Sequence, residues 1–197
     1  VTIIDLGDYL GLSRIAVGDR SDLGNFKGYD EESSKEALNY MRTRLGTERY
    51  AKLEAGIAAF REIVYKLAKE ARDVGAYNSE VFDEKIEPNR GTYAAFAVQK
   101  YLEDYVAAGI KGQVGSLEDI DLPFTSTVMK MVSLNKLIAK QRSANAIRDF
   151  LLPRGEAEKA ESLNPQDNLV QFREKDGKGL LKLLENGRQA AYYVDPY

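Results

Sequence analysis

Apolar residues recur at intervals of three and four over most of this chain, and an alternating pattern appears only near its C-terminal end. The clearest helical stripe begins near Thr47, where Tyr50, Leu53, Ile57, Phe60, Val64, Leu67, Ala71 and Val74 fall on one face of an α-helix. Gly75 follows as its left-handed C-cap. Ahead of this helix, a Ser33-x-x-Glu36 capping box opens another that runs to about Leu45 and ends at Gly46. Ser79 caps a short acidic turn over 80–86, and Pro88-Asn89-Arg90-Gly91 then forms a hinge-like loop, because proline lacks the donor that a continuing helix needs.

Residues 93–108 carry Phe96, Tyr101, Leu102, Tyr105 and Val106, the pattern of an aromatic-rich helix that is broken by Gly109, Gly112 and Gly115. Pro123 suits the first turn of a long helix that reaches about Leu152. Its apolar positions are Phe124, Val128, Met131, Val132, Ile138, Ala139, Ala146, Ile147 and Phe150. Asn135, Gln141 and Asn145 interrupt that stripe, so part of the helix is expected to face polar neighbours or water.

Pro153 and Gly155 end the long helix, and the period then changes. The stretches 169–175, 180–185 and 188–194 read as three strands joined through Asp176-Gly177 and Asn186-Gly187. Asn-Gly is a strong hairpin signal, because both central positions of the tight turn need positive φ. Over so short a run, Leu180-Leu181 with Leu183-Leu184 also fits one helical turn. At the other end, residues 1–32 are dense in Gly and Asp and read as an extended or loop segment.

The predicted fold class is therefore mainly α: a helical bundle with one long helix, plus a small C-terminal antiparallel β-meander. Four regions are expected: a Gly/Asp-rich segment over 1–32, a helical domain over 33–152, a linker over 153–167 and the meander over 168–197. The start at Val1 and the stop just after an apparent strand fit a piece of a longer parent chain.

Composition narrows the chemistry. Of 197 residues 44% are hydrophobic and 30% charged, the values of a folded globular chain. Lys+Arg 28 against Asp+Glu 31 leaves a formal net charge of −3, so any nucleic-acid contact must be local. With His 0 and Cys 0, imidazole-dependent nucleophile systems, thiolate chemistry and the usual zinc sites are excluded. No run approaches the ~20 apolar residues of a membrane-spanning helix.

What remains is carboxylate, Lys, Tyr or Ser-Lys chemistry, and none of it has a convincing constellation. Glu31-Glu32, Glu80 with Asp83-Glu84, and Glu118-Asp119 with Asp121 lie at predicted helix starts, where the helix dipole favours negative charge. Ser143 follows Lys140, the reverse of the catalytic Ser-x-x-Lys order. Gly7, Gly11 and Gly18 lack the strand-then-helix setting of a phosphate loop. No catalytic residue, metal ligand, cofactor or small-molecule substrate is expected. The most polarised feature is on the long helix, where Lys130, Lys136, Lys140, Arg142 and Arg148 follow Phe124 with no acid among them. They form either a solvated face or a contact for a polyanion or acidic partner.

The run GSLEDIDLP at 115–123, Asn135 and QRSAN at 141–145 in the long helix, then NGR at 186–188 and YYVDP at 192–196, resemble a segment of the large polyvalent proteins of phages and prophages. The resemblance spans roughly residues 80–197 and departs from that family's pattern in the Leu-rich stretch before Asn186. It implies a very large chain packaged in the virion and delivered with the genome, in which catalytic modules alternate with helical segments of structural or interaction role. On that basis the chain is expected to be a non-catalytic interaction segment of an internal or ejected virion protein. Its partners would be other virion proteins or copies of itself, with phage DNA as a further contact, and its place the capsid interior or ejection apparatus. The alternative is a fragment of a phage enzyme that degrades cell wall or processes nucleic acid with carboxylates.

Overall fold

The computed structural model describes residues 1–17, 28–91, 123–164 and 170–195, so the helix expected over 93–108 and the acids Glu118, Asp119 and Asp121 lie outside the described residues. The described chain is mainly helical with one small antiparallel sheet, as its periodicities predict. It divides into two compact units, Val1–Lys66 with Ile86–Ser133, and Leu67–Lys85 with Leu134–Tyr197.

The first unit opens with α1 (Ile3–Ile15), where the Gly-rich pattern predicts a loop. Two effects outweigh the roughly 1 kcal/mol that each interior glycine costs a helix. Thr2 and Asp5 form a reciprocal capping box, Asp5 N donating to Thr2 Oγ1 at 3.2 Å and Thr2 N to Asp5 Oδ2 at 2.7 Å. Leu10, Leu12 and Ile15 also enter a core with Met41, Tyr50, Leu53 and Ile57. Tertiary burial thus overrides local propensity.

The next helix, α2 (Glu31–Leu45), starts one turn before the predicted box. Its cap is Asp30, whose carboxylate accepts from Ser33 N at 2.8 Å while Ser33 Oγ accepts from Asp30 N at 2.9 Å. That start places Glu31 and Glu32 in the first turn, where the dipole favours them. Gly46, with φ of 75°, ends the helix as predicted. In α3 (Thr47–Asp73) the predicted stripe is the buried one, from Tyr50 through Leu53, Ile57 and Val64 to Leu67 and Ala71. The Pro88 loop is tethered rather than free: Arg90 forks onto Glu62 at 2.8 and 3.0 Å and lies over the Tyr65 ring, and Tyr65 donates to Glu87.

The second unit contains the end of α3, the turn α4 (Ser79–Val81), all but the last residue of a π-helical turn over Phe82–Ile86, most of α5 (Pro123–Leu151), and the sheet. Asn78, not the predicted Ser79, caps α4 by accepting from Val81 N at 3.0 Å. The strands are β1 (Ala157–Lys159), β2 (Gly179–Glu185) and β3 (Arg188–Val194), in the order β1-β3-β2. β2 and β3 form the predicted hairpin, and Asn186 and Gly187 both have positive φ, 49° and 75°.

The third strand differs from the sequence reading. The place beside β3 is taken by Ala157–Lys159, from the stretch expected to be a linker, so the sheet is antiparallel but not a simple meander. Of the stretch predicted as the first strand, Phe172 makes an isolated bridge to Ser162 and packs against Ala160, Ala191 and Tyr193. Central β3 explains this arrangement. Ala190 and Tyr192 meet Ala144 and Leu151 on one face, whereas Ala191 and Tyr193 need cover on the other, and Phe172 supplies it.

Asp5 generates a pH prediction for the first unit. Burial alone would raise its carboxyl, but hydrogen bonds from Arg44 and Thr2 outweigh it and hold the group below its usual 3.8. A depressed carboxyl stabilises the fold above the unfolded pKa and loses that contribution as pH falls through the folded one. Asp5→Asn is therefore expected to cost about 1–3 kcal/mol at pH 7. The gap from the wild-type chain in urea midpoints should close as pH drops below about 4.

Candidate interaction surface

Within the second unit, α5 presents two faces of opposite kind. The inner one carries Leu134, Ile138, Gln141, Ala144 and Leu151. On the opposite side Ala139, Ala146, Ile147 and Phe150, all predicted as packing positions, are exposed, Ile147 at 47% and Phe150 at 57%. The apolar count identified the helix but not its inward side. The correction is physical: Gln141, read as an interruption, is only 3% exposed because its amide has a backbone to bond.

That backbone is the outer edge of β2, which among the described residues pairs only with β3. Gln141 Nε2 donates to Leu184 O at 2.6 Å, and Leu184 N donates to Gln141 Oε1 at 2.9 Å. The side-chain amide thus offers one donor and one acceptor, as a neighbouring strand would. Gln141 Nε2 also reaches Asn145 Oδ1 at 3.0 Å, and Asn145 Nδ2 donates to Val74 O at 2.9 Å.

The hairpin turn meets the same helical end, Gly187 N donating to Gly75 O at 2.9 Å and Ser79 N to Asn186 Oδ1 at 2.7 Å. A Cβ on Gly187 would stand 2.7 Å from Asn78 N, so glycine is required there for space as well as for its φ. The QRSAN and NGR runs, 45 residues apart in sequence if counted from Gln141 to Asn186, converge on one junction.

The predicted basic residues are not an unpaired stripe. Arg142 pairs with Glu70 at 2.5 Å, and Arg148 with Asp149 at 2.8 Å and Glu185 at 3.6 Å. Glu185 also accepts from Lys159 at 2.6 Å and from Tyr192 at 2.5 Å. Burial would raise its carboxyl, but these donors hold it below the usual range. Lys136 and Lys140 are exposed. In the first unit Lys130 is partly buried, and that burial lowers its ammonium pKa.

Of the candidate acids, Glu31, Glu32, Glu80 and Asp83 are exposed; Glu31 pairs with Lys35 and Asp83 with Arg72. Ser143 donates to Ala139 O at 3.1 Å, an ordinary helix back-bond. Among the described residues no cluster of three or more acids is arranged to hold a metal, and no helix is long and apolar enough to cross a membrane.

Sequence reasoning passed over Arg61, in the first unit. It lies on the buried face of α3, four residues after Ile57 and three before Val64, and that spacing was the available signal. It is 9% exposed and its Nη2 donates to Ser13 Oγ at 2.6 Å. Among the described residues its buried Nε has no hydrogen-bond partner. No protein-family model, curated protein or solved structure matches the chain.

With Arg142 and Arg148 engaged, a duplex-DNA contact on the second unit's part of α5 would neutralise about two phosphates, through Lys136 and Lys140. The slope of log K against log salt is then expected near −2, because each neutralised phosphate contributes about −0.9. Fluorescence anisotropy at several salt concentrations reads it, and a slope of −4 or steeper would mean that the paired arginines also release their partners to bind.

Proposed function

We propose that this chain is a non-catalytic structural and interaction segment of a large internal or ejected bacteriophage virion protein, acting in virion assembly or genome delivery. The observation that carries the interaction role is the outward row of Ala139, Ala146, Ile147 and Phe150 on a helix whose other face already has its packing partners. A helix that is apolar on a second side supports a role in packing against another protein. The phage setting rests on the QRSAN, NGR and YYVDP runs. In that setting the partners are other virion proteins or further copies of this chain, and its place is the capsid interior or ejection apparatus.

The carboxylate-enzyme reading has less support, since Glu80 and Asp83 lie in solvent rather than beside another acid in a closed site. Mass spectrometry of purified virions should find peptides of this polypeptide, and their absence from particles would remove the phage setting. The interaction role is tested separately. Ile147→Glu with Phe150→Glu should leave the denaturation midpoint within about 0.5 kcal/mol of wild type, as for surface changes. The same double variant should lose co-sedimentation with the virion proteins that retain the wild-type chain.

A further inference from the structure

Asparagine is followed by glycine once in the sequence, at 186–187. That pairing leaves the asparagine side-chain amide open to attack by the next backbone nitrogen, because glycine places no side chain in the way. In the β2–β3 turn both reacting groups are engaged elsewhere. Asn186 Oδ1 accepts from Ser79 N at 2.7 Å, while the nucleophile, Gly187 N, donates to Gly75 O at 2.9 Å. Asn78 crowds the same glycine, since a Cβ there would stand 2.7 Å from Asn78 N. All of these residues belong to the second unit. Cyclisation needs Gly187 N to lose its proton and to come within about 3–3.5 Å of Asn186 Cγ, aligned for attack. Breaking the bond to Gly75 frees that nitrogen, and breaking the bond from Ser79 frees the amide to turn. Asn186 is exposed, so water reaches the product ring.

We propose that Asn186 is a self-modification site gated by the fold, converting to aspartate or isoaspartate when the β2–β3 turn lifts off Gly75 and Ser79. Gly187 N gives its proton to water and bonds to Asn186 Cγ; the Cγ–Nδ2 bond breaks, ammonia leaves, and a cyclic imide remains. Water then opens the imide. Cleavage between Gly187 N and Cγ gives aspartate, and cleavage between Gly187 N and the main-chain carbonyl carbon of Asn186 gives isoaspartate. Aspartate keeps an oxygen that can accept from Ser79 N. Isoaspartate adds a carbon to the main chain beside a glycine that has no room to move toward Asn78, so the turn cannot re-dock in its original place. The products therefore accumulate as a record of openings of the junction, whatever partner the chain binds.

The test follows Asn186 in the full chain, folded in buffer and unfolded in urea, at one pH and temperature. Peptide mass spectrometry reads the replacement of amide by hydroxyl, and chromatography separates the isoaspartyl peptide. Conversion is expected to be at least about tenfold slower in the folded chain, because it waits on local opening. Equal rates would overturn the proposal. Ser79→Pro removes the donor to Asn186 Oδ1 at the first position of α4, where proline is tolerated, and Asn78 already has the extended φ of −70° and ψ of 128° that suit a residue before proline. In the folded variant conversion should be about three- to tenfold faster than in wild type, the equivalent of one hydrogen bond. An unchanged or slower rate would also overturn the proposal. Should that variant fail to fold, the comparison of folded with unfolded wild type decides by itself.

Discussion

The second unit depends on how the open edge of β2 is closed. A strand edge exposes backbone donors and acceptors that must bond to something. In this chain the partner is not a fourth strand but a glutamine side chain on a helix. Gln141 takes both groups of Leu184, and Asn145 extends the same chain of bonds to the carbonyl of Val74, just past the end of α3. Gly75 and Gly187 let the hairpin turn approach that helix end closely enough for a direct backbone bond. A three-stranded sheet of this size has little core of its own, and the helices complete it through both apolar contact and these polar bonds.

This arrangement also explains where the sequence was legible. α3 was readable in full because a single apolar face runs through it and one glycine stops it. The Asn186-Gly187 turn was readable because its backbone geometry restricts the residues allowed there. α5 was readable as a helix but its orientation was not, since hydrophobicity alone scores Ile147 as buried and Gln141 as exposed. A buried amide is recognisable only once its backbone partner, 43 residues away in the chain, is known. α1 was hidden for a related reason: Gly7 and Gly11 carry a loop signal that the core contacts of Leu10, Leu12 and Ile15 override. β1 is three residues long, too short for any alternation to register.

The candidate sites divide along the same line. The row of cations on α5 was visible as composition, but ion pairing is a property of neighbours, and Glu70, Asp149 and Glu185 come from elsewhere in the fold or the adjacent position to engage two of them. Arg61 shows the converse, an ordinary charge in sequence that becomes distinctive once burial leaves its Nε without an acceptor among the described residues. The surface with most to offer a protein partner is the outward side of α5, where Ile147 and Phe150 stay exposed.

The central claim is that Gln141 substitutes for a strand at the edge of β2. Hydrogen exchange at the Leu184 amide in Gln141→Leu tests it most directly, because the change keeps the side chain's approximate size and removes both bonds. The account predicts much faster exchange at Leu184 and a loss of about 1–2 kcal/mol in the stability of the second unit, the cost of leaving partly buried backbone groups unpaired. Unchanged protection at Leu184 with unchanged stability would contradict it.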